Sequence, residues 1–229
     1  MAITLASETN GSGTGDVSGN YSVTKPATVN NDNYLVVIIG KNDDPDMTPP
    51  LGWSTGAEAA DVVASPDLFA AIYYKKVIDA ASEPSSYTFT ADASQDYAYW
   101  IGSLTGIDLT TPEDETMAGN WAIRINDSTP VASSISTVTA GAYVLAAWYS
   151  TDTTVTQAGT PWETRVDNVG SPSMNVVSQI FASAGATGDV NPTDVGSLDD
   201  TFAGQFAFRP AGGAAVAITP RRMLVGVGT

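Results

Sequence analysis

Carboxylates are the only abundant proton-transferring groups in this sequence. The chain of 229 residues contains no His and no Cys. That removes Ser-His-Asp triads, imidazole bases, thiolate nucleophiles and the usual zinc sites together. The dense acidic clusters are Asp43-Asp44-Pro45-Asp46 and Glu113-Asp114-Glu115. Two carboxylates facing each other across a groove would make a glycosidase pair, and Asp43, Asp44 and Asp46 could supply oxygen ligands to calcium. The competing reading is solvated loop charge, and no EF-hand loop or calcium-binding nonapeptide repeat frames either cluster. No catalytic, metal-ligating or cofactor-binding residue is assigned, and the protein is expected not to be an enzyme.

The aromatic residues offer a different chemistry. Trp100 and Trp148 sit inside apolar segments and are expected in the core, whereas Trp53 and Trp162 sit beside turn residues. An exposed indole on a β-sandwich can stack on a sugar ring, so Trp53 and Trp162 are the candidate ligand-stacking residues. Gly11, Gly13 and Gly15 do not follow a strand pattern and open no helix, so they make no phosphate cradle. Near the C-terminus, Arg221, Arg222, Met223 and Leu224 combine an adjacent basic pair with apolar residues. They read as a last edge strand, or as a tail contacting a neighbouring acidic subunit or shell.

The elements that must position these groups read as strands. Short apolar segments rich in β-branched and aromatic residues recur between Gly, Pro, Asn, Asp and Ser clusters. They are 34–39, 68–77, 97–104, 121–125, 143–149, 174–181 and 202–208. Alternation in 121–125 and 202–208 predicts one wet face for those two strands. The stretch after Ser65-Pro66-Asp67 is compatible with a capped helix, but neighbouring aromatics and Tyr87-Thr88-Phe89-Thr90 favour strand.

An internal repeat is also legible. Asn33-Tyr34-Leu35-Val36-Val37 leads to Trp53, and Ala142-Tyr143-Val144-Leu145-Ala146 leads to Trp162, each Trp nineteen residues after its Tyr. Ser-Pro and an apolar strand follow in both cases. The expected fold class is an all-β, jelly-roll-like antiparallel β-sandwich with an internal two-fold duplication, either as a double sandwich or as one jelly roll of two related sheets. The expected organisation is a flexible N-terminal arm at 1–20, a sandwich at 21–210 with halves at about 21–110 and 120–210, and a linker and tail at 211–229.

Charge and hydropathy narrow the partners. A net charge of −16 disfavours nucleic acid and anionic membranes. Met1 to Thr14 has neither a basic nor an apolar region, so no signal peptide is expected, and no stretch is apolar enough to span a bilayer.

The run Asp32-Asn33-Tyr34-Leu35-Val36-Val37, Leu51-Gly52-Trp53, Tyr74-Lys75, Glu83-Pro84-Ser85-Ser86-Tyr87-Thr88-Phe89-Thr90 and Gly106-Ile107-Asp108 with Pro112 resembles one known family. This is the family of jelly-roll-like virion structural proteins of tailed phages, which includes capsid decoration and tail-associated proteins. Here Asp-Asn-Tyr replaces the usual Gly-Asp-Leu, and Tyr stands where Trp often precedes the Lys. The resemblance covers roughly the first half of the chain and carries over no catalytic residue. It implies a capsid decoration (cement) protein, assembled in the host cytoplasm and displayed on the capsid exterior. Its partners would be itself, as a homotrimer, and the major capsid protein. The alternatives are a tail-associated or carbohydrate-binding host-adhesion module, and a carboxylate-dependent carbohydrate enzyme.

Overall fold

The computed structural model describes residues 1–42, 46–61, 68–114, 121–124, 127, 130–150, 161–168, 172–192 and 200–212. The strands of the first half are β1 (Thr4–Thr14), β2 (Asn20–Thr24), β3 (Tyr34–Asn42), β4 (Ser54–Asp61), β5 (Leu68–Lys76), β6 (Ser86–Thr90) and β7 (Asp96–Thr105). Those of the second are β8 (Trp121–Arg124), β9 (Ser136–Thr137), β10 (Ala142–Ser150), β11 (Glu163–Asn168), β12 (Ser173–Phe181), β13 (Gly185–Ala186) and β14 (Thr201–Phe208). Every pairing is antiparallel.

Each half is wired as a long hairpin rolled on itself, which is the jelly-roll principle. In the first half β1 pairs with β7, β2 with β6 and β3 with β5, leaving β4 at the bend. In the second half β8 pairs with β14, β9 with β13 and β10 with β12, leaving β11 at the bend. The resulting five-stranded sheets run β1-β7-β3-β5-β4 and β8-β14-β10-β12-β11, so their strand orders match position by position. Jelly-roll wiring therefore exists within each half, and the main sandwich forms where the two large sheets meet. Segment 68–76 is strand throughout, as its aromatics favour.

The main core lies between these sheets. Val36, Ile38, Ile72 and Trp100 from the first meet Tyr143, Leu145, Tyr149, Phe202 and Phe206 from the second. Residues of opposite parity point outward and are covered again. Leu35, Val37, Ile39, Phe69 and Tyr73 pack under Tyr21, Val23, Tyr87 and Phe89 of the β2–β6 pair. On the far side Ala146, Trp148, Val177 and Ala203 pack with the bridged residues Ala132 and Val190. Covering both faces explains why β3 and β10 are continuous apolar runs rather than alternating ones. Trp100 and Trp148 are fully buried, as expected for the core.

Two expectations are corrected. The wet face predicted for 202–208 does not exist, because β14 is buried along its whole length between two layers. Residues 4–14 are not a free arm but an edge strand, with Gly11 opposite Tyr99 and Gly13 opposite Tyr97. A Cβ on Gly11 would stand 2.9 Å from the Tyr99 ring. These glycines make room for aromatic rings that lie over the strand.

The two sheets also meet through a glycine. A Cβ on Gly40 in β3 would approach the Tyr149 ring of β10 to 2.3 Å, and the Tyr149 hydroxyl is tied to Asn42 Oδ1 at 2.7 Å. The ring cannot swing aside without breaking that bond. We expect Gly40→Ala to cost about 1–3 kcal/mol of stability from overpacking, measured by urea denaturation. An unchanged midpoint would show that the inter-sheet spacing yields freely.

Candidate functional site, a polar crevice at one seam

The matching strand orders create two seams between the sheets. At one, β4 packs near β8, and at the other β11 lies near β1. Register makes positions in the two halves comparable. Tyr34 pairs with Lys76 and Leu104, and Tyr143 pairs with Ile180 and Phe208. Trp53 and Trp162 immediately precede β4 and β11, and both strands carry a register shift three residues after the Trp, at Gly56 and at Arg165.

The first seam is filled by aromatics. Tyr74 lies 6.2 Å from Tyr34, 6.3 Å from Phe206 and 5.9 Å from Phe208, and its hydroxyl donates to Glu113 Oε1 at 2.6 Å. Phe206 presses on Gly56, where a Cβ would come within 2.5 Å of its ring. A depression of about 550 Å³ beside Tyr74, Glu113, Asp114 and Arg209 has its principal polar groups already engaged with one another.

The second seam has the reverse chemistry. Ser178 occupies the register position of Tyr74, Arg165 that of Gly56, and Gly102 that of Phe206. Exchanging Tyr for Ser opens a crevice of about 580 Å³ lined by residues that include Leu5, Tyr143, Glu163, Arg165, Ser178 and Ile180. Arg165 Nε donates to Ser178 Oγ at 2.7 Å, and its terminal nitrogens reach the Glu163 carboxylate and, at 4.0 Å, Glu8 Oε1. The second oxygen of Glu8 accepts from Trp100 Nε1 at 2.7 Å, anchoring the edge strand to the core. Two carboxylates thus surround one guanidinium.

Tyr143 is the exceptional group. It is 3% exposed, and its hydroxyl lies against Ser178 and Arg165. Burial holds its phenol above the ordinary value, against the opposing influence of the neighbouring Ser178 and Arg165. The crevice therefore sets one guanidinium between two carboxylates, a cluster of net negative formal charge, beside an apolar rim.

Of the residues singled out from sequence, Trp53 is half-buried against Tyr87 and Phe89, with centroids at 5.1 and 5.6 Å. Lys75 Nζ sits 6.0 Å from its ring, 5.5 Å from that of Tyr87, and 2.9 Å from Glu83 Oε2, which also accepts from the Tyr87 hydroxyl at 2.8 Å. Trp162 is half-buried against Phe181 at 5.9 Å. The two indoles stand at the edges of different sheets and are not brought together. Arg221, Arg222, Met223 and Leu224 lie outside the described residues, as do Asp43, Asp44 and Glu115 of the acidic clusters. No group of three or more carboxylates able to hold a metal occurs among the described residues. No helix among them is long and apolar enough to cross a membrane.

Tyr143, Arg165 and Ser178 escape a motif search because none belongs to a motif. The signal that exposes them is the mismatch between the halves, Tyr74 against Ser178 and Gly56 against Arg165. No family model, curated protein or solved structure matches the chain.

Proposed function

We propose that this protein is a structural component of a tailed-phage virion, a capsid decoration protein bound to the shell exterior and associating with itself as a homotrimer. The observation that supports this reading is the convergence of the resemblant residues. Trp53, Lys75, Glu83 and Tyr87 come from successive segments and form one clasp between the start of β4, β5 and the β2–β6 cover. A lysine held between two rings and a carboxylate is a packing device. The shared pattern thus specifies an architecture, which is what a display scaffold requires.

The extensively covered sheets suit a protein that works by rigidity. Attachment to a shell would draw on buried interface area and on the terminal strands β1 and β4 of the first sheet. The test is the copy number of the protein in purified virions, by quantitative mass spectrometry against the major capsid subunit. A simple ratio to that subunit is expected. A few copies per particle would transfer the protein to the tail, and absence from the particle would overturn the virion reading.

A further inference from the structure

We propose that copies of this chain meet through one end of the sandwich, the end at which β3 and β10 begin. The inference rests on the self-association in the preceding reading and names the surface that makes it. Register fixes which loops share that end. Tyr34 at the start of β3 pairs with Lys76 and Leu104, and Ser54 at the start of β4 pairs with Tyr74. The residues just before β4 and the turns after β5 and β7 therefore lie together. The second sheet joins them there, because Asp108 N donates to Arg209 O at 2.9 Å and Ala211 N to Gly106 O at 2.7 Å.

The first ground is where large apolar side chains face water. Met1, Leu51, Ile78, Leu109 and Ile180 are exposed, and all five stand at this end. Leu51 and Ile78 are among the most open and occupy neighbouring loops, beyond the paired ends of β4 and β5. The remaining exposed large apolar side chain among the described residues is Val17, in the β1–β2 turn at the opposite end. Scattered apolar residues are ordinary on a protein surface, whereas their gathering at one end marks a contact surface.

The second ground is charge, which selects the occupant. At a net charge of −16, two copies repel each other over most of their surface. The opposite end carries exposed Asp16, Asp92 and Asp96, and Lys41 there is buried. A basic partner would favour that acidic end, and a second copy would be repelled from it. The apolar end mixes both signs. Lys76 lies 3.1 Å from the exposed Asp32, and Lys25, Lys75, Asp79 and Asp108 belong to the same loops and strand ends. Such a surface complements itself. Rotated about a shared axis, Lys76 of one copy can face a carboxylate of the next while Leu51 and Ile78 leave water.

The test is multi-angle light scattering over a range of concentrations, with the melting temperature of each variant measured alongside. The wild type is expected at a whole-number multiple of the 23.7 kDa chain. Leu51→Asp and Ile78→Asp are each expected to raise the dissociation constant at least about tenfold without lowering the melting temperature of the single chain. Val17→Asp adds the same charge to the same kind of side chain at the other end, and is expected to leave the mass unchanged. An oligomer that survives both Leu51→Asp and Ile78→Asp would overturn the proposal and leave self-association standing. So would an oligomer that Val17→Asp dissociates equally well. A wild type that stays at 23.7 kDa at every concentration would remove both the proposal and the self-association on which it rests.

Discussion

Raising the pH from about 9 to about 11 is expected to unfold this protein cooperatively. Tyr34, Tyr73, Tyr74, Tyr87, Tyr97 and Tyr143 are all held above the ordinary phenol value, in each case first by burial. Neighbouring carboxylates push several of them further the same way, Glu113 at Tyr74 and Glu83 at Tyr87. Below the ordinary phenol value of about 10 both folded and unfolded chains keep these protons, and the stability they support is complete. Above it the unfolded chain releases protons that the folded chain still holds, so stability falls as the pH rises. Each such group contributes a slope of roughly 1.4 kcal/mol per pH unit. Tyr73, Tyr74 and Tyr87, the most strongly shifted, together approach roughly 4 kcal/mol per unit above that value, a large share of the stability of a domain. Circular dichroism and phenolate absorbance recorded on one titration should therefore change together. Phenolate absorbance that rises gradually while the β-sheet signal persists would show that the tyrosines titrate within the fold.

Asp114→Ala is expected to be the most damaging single substitution, at about 3–5 kcal/mol by urea denaturation. Asp114 is 1% exposed and sits in the segment that joins the two halves. One carboxylate oxygen accepts from the backbone N–H groups of Val138 and Thr139 at 2.8 and 3.1 Å. The other meets Arg209 Nε at 3.4 Å. Around it the connector pairs with the end of β14, through Asp108 N to Arg209 O at 2.9 Å and Arg209 N to Pro112 O at 2.8 Å. Removing the carboxylate strands two backbone donors and leaves the half-buried Arg209 without its counter-charge. Asp114→Asn keeps the shape and an acceptor oxygen, so a smaller loss is expected. Asp92→Ala, on an exposed loop, serves as the control and should stay within about 0.5 kcal/mol. Equal effects at the two positions would mean that the connector does not hold the halves together.

Both expectations depend on burial that was only partly visible in the sequence. Tyr34, Tyr143 and the two central tryptophans could be placed in strands because they lie in β-branched apolar runs. Asp114 could not be distinguished from Glu113 and Glu115, since a buried carboxylate and a solvated one look alike until their partners are known. The equal spacing of Tyr and Trp was readable, but β4 and β11, which start just after Trp53 and Trp162, were not, because their residues carry no apolar run.

Composition and periodicity by themselves determined an all-β chain without imidazole or thiol chemistry, the central strands, and the location of Trp100 and Trp148 in the core. These depend on residue type and local pattern, which the chain carries wherever it folds. Only the tertiary structure decided that residues 4–14 form an edge strand, that β14 has no wet face, and that Tyr143, Arg165 and Ser178 meet in a crevice. The reason is that a glycine-rich strand becomes stable only when the rings of its neighbour cover it, and a face becomes buried only when another layer arrives. A crevice of this kind is set by what one sheet lacks opposite the other, a relation between residues distant in sequence that no local pattern encodes.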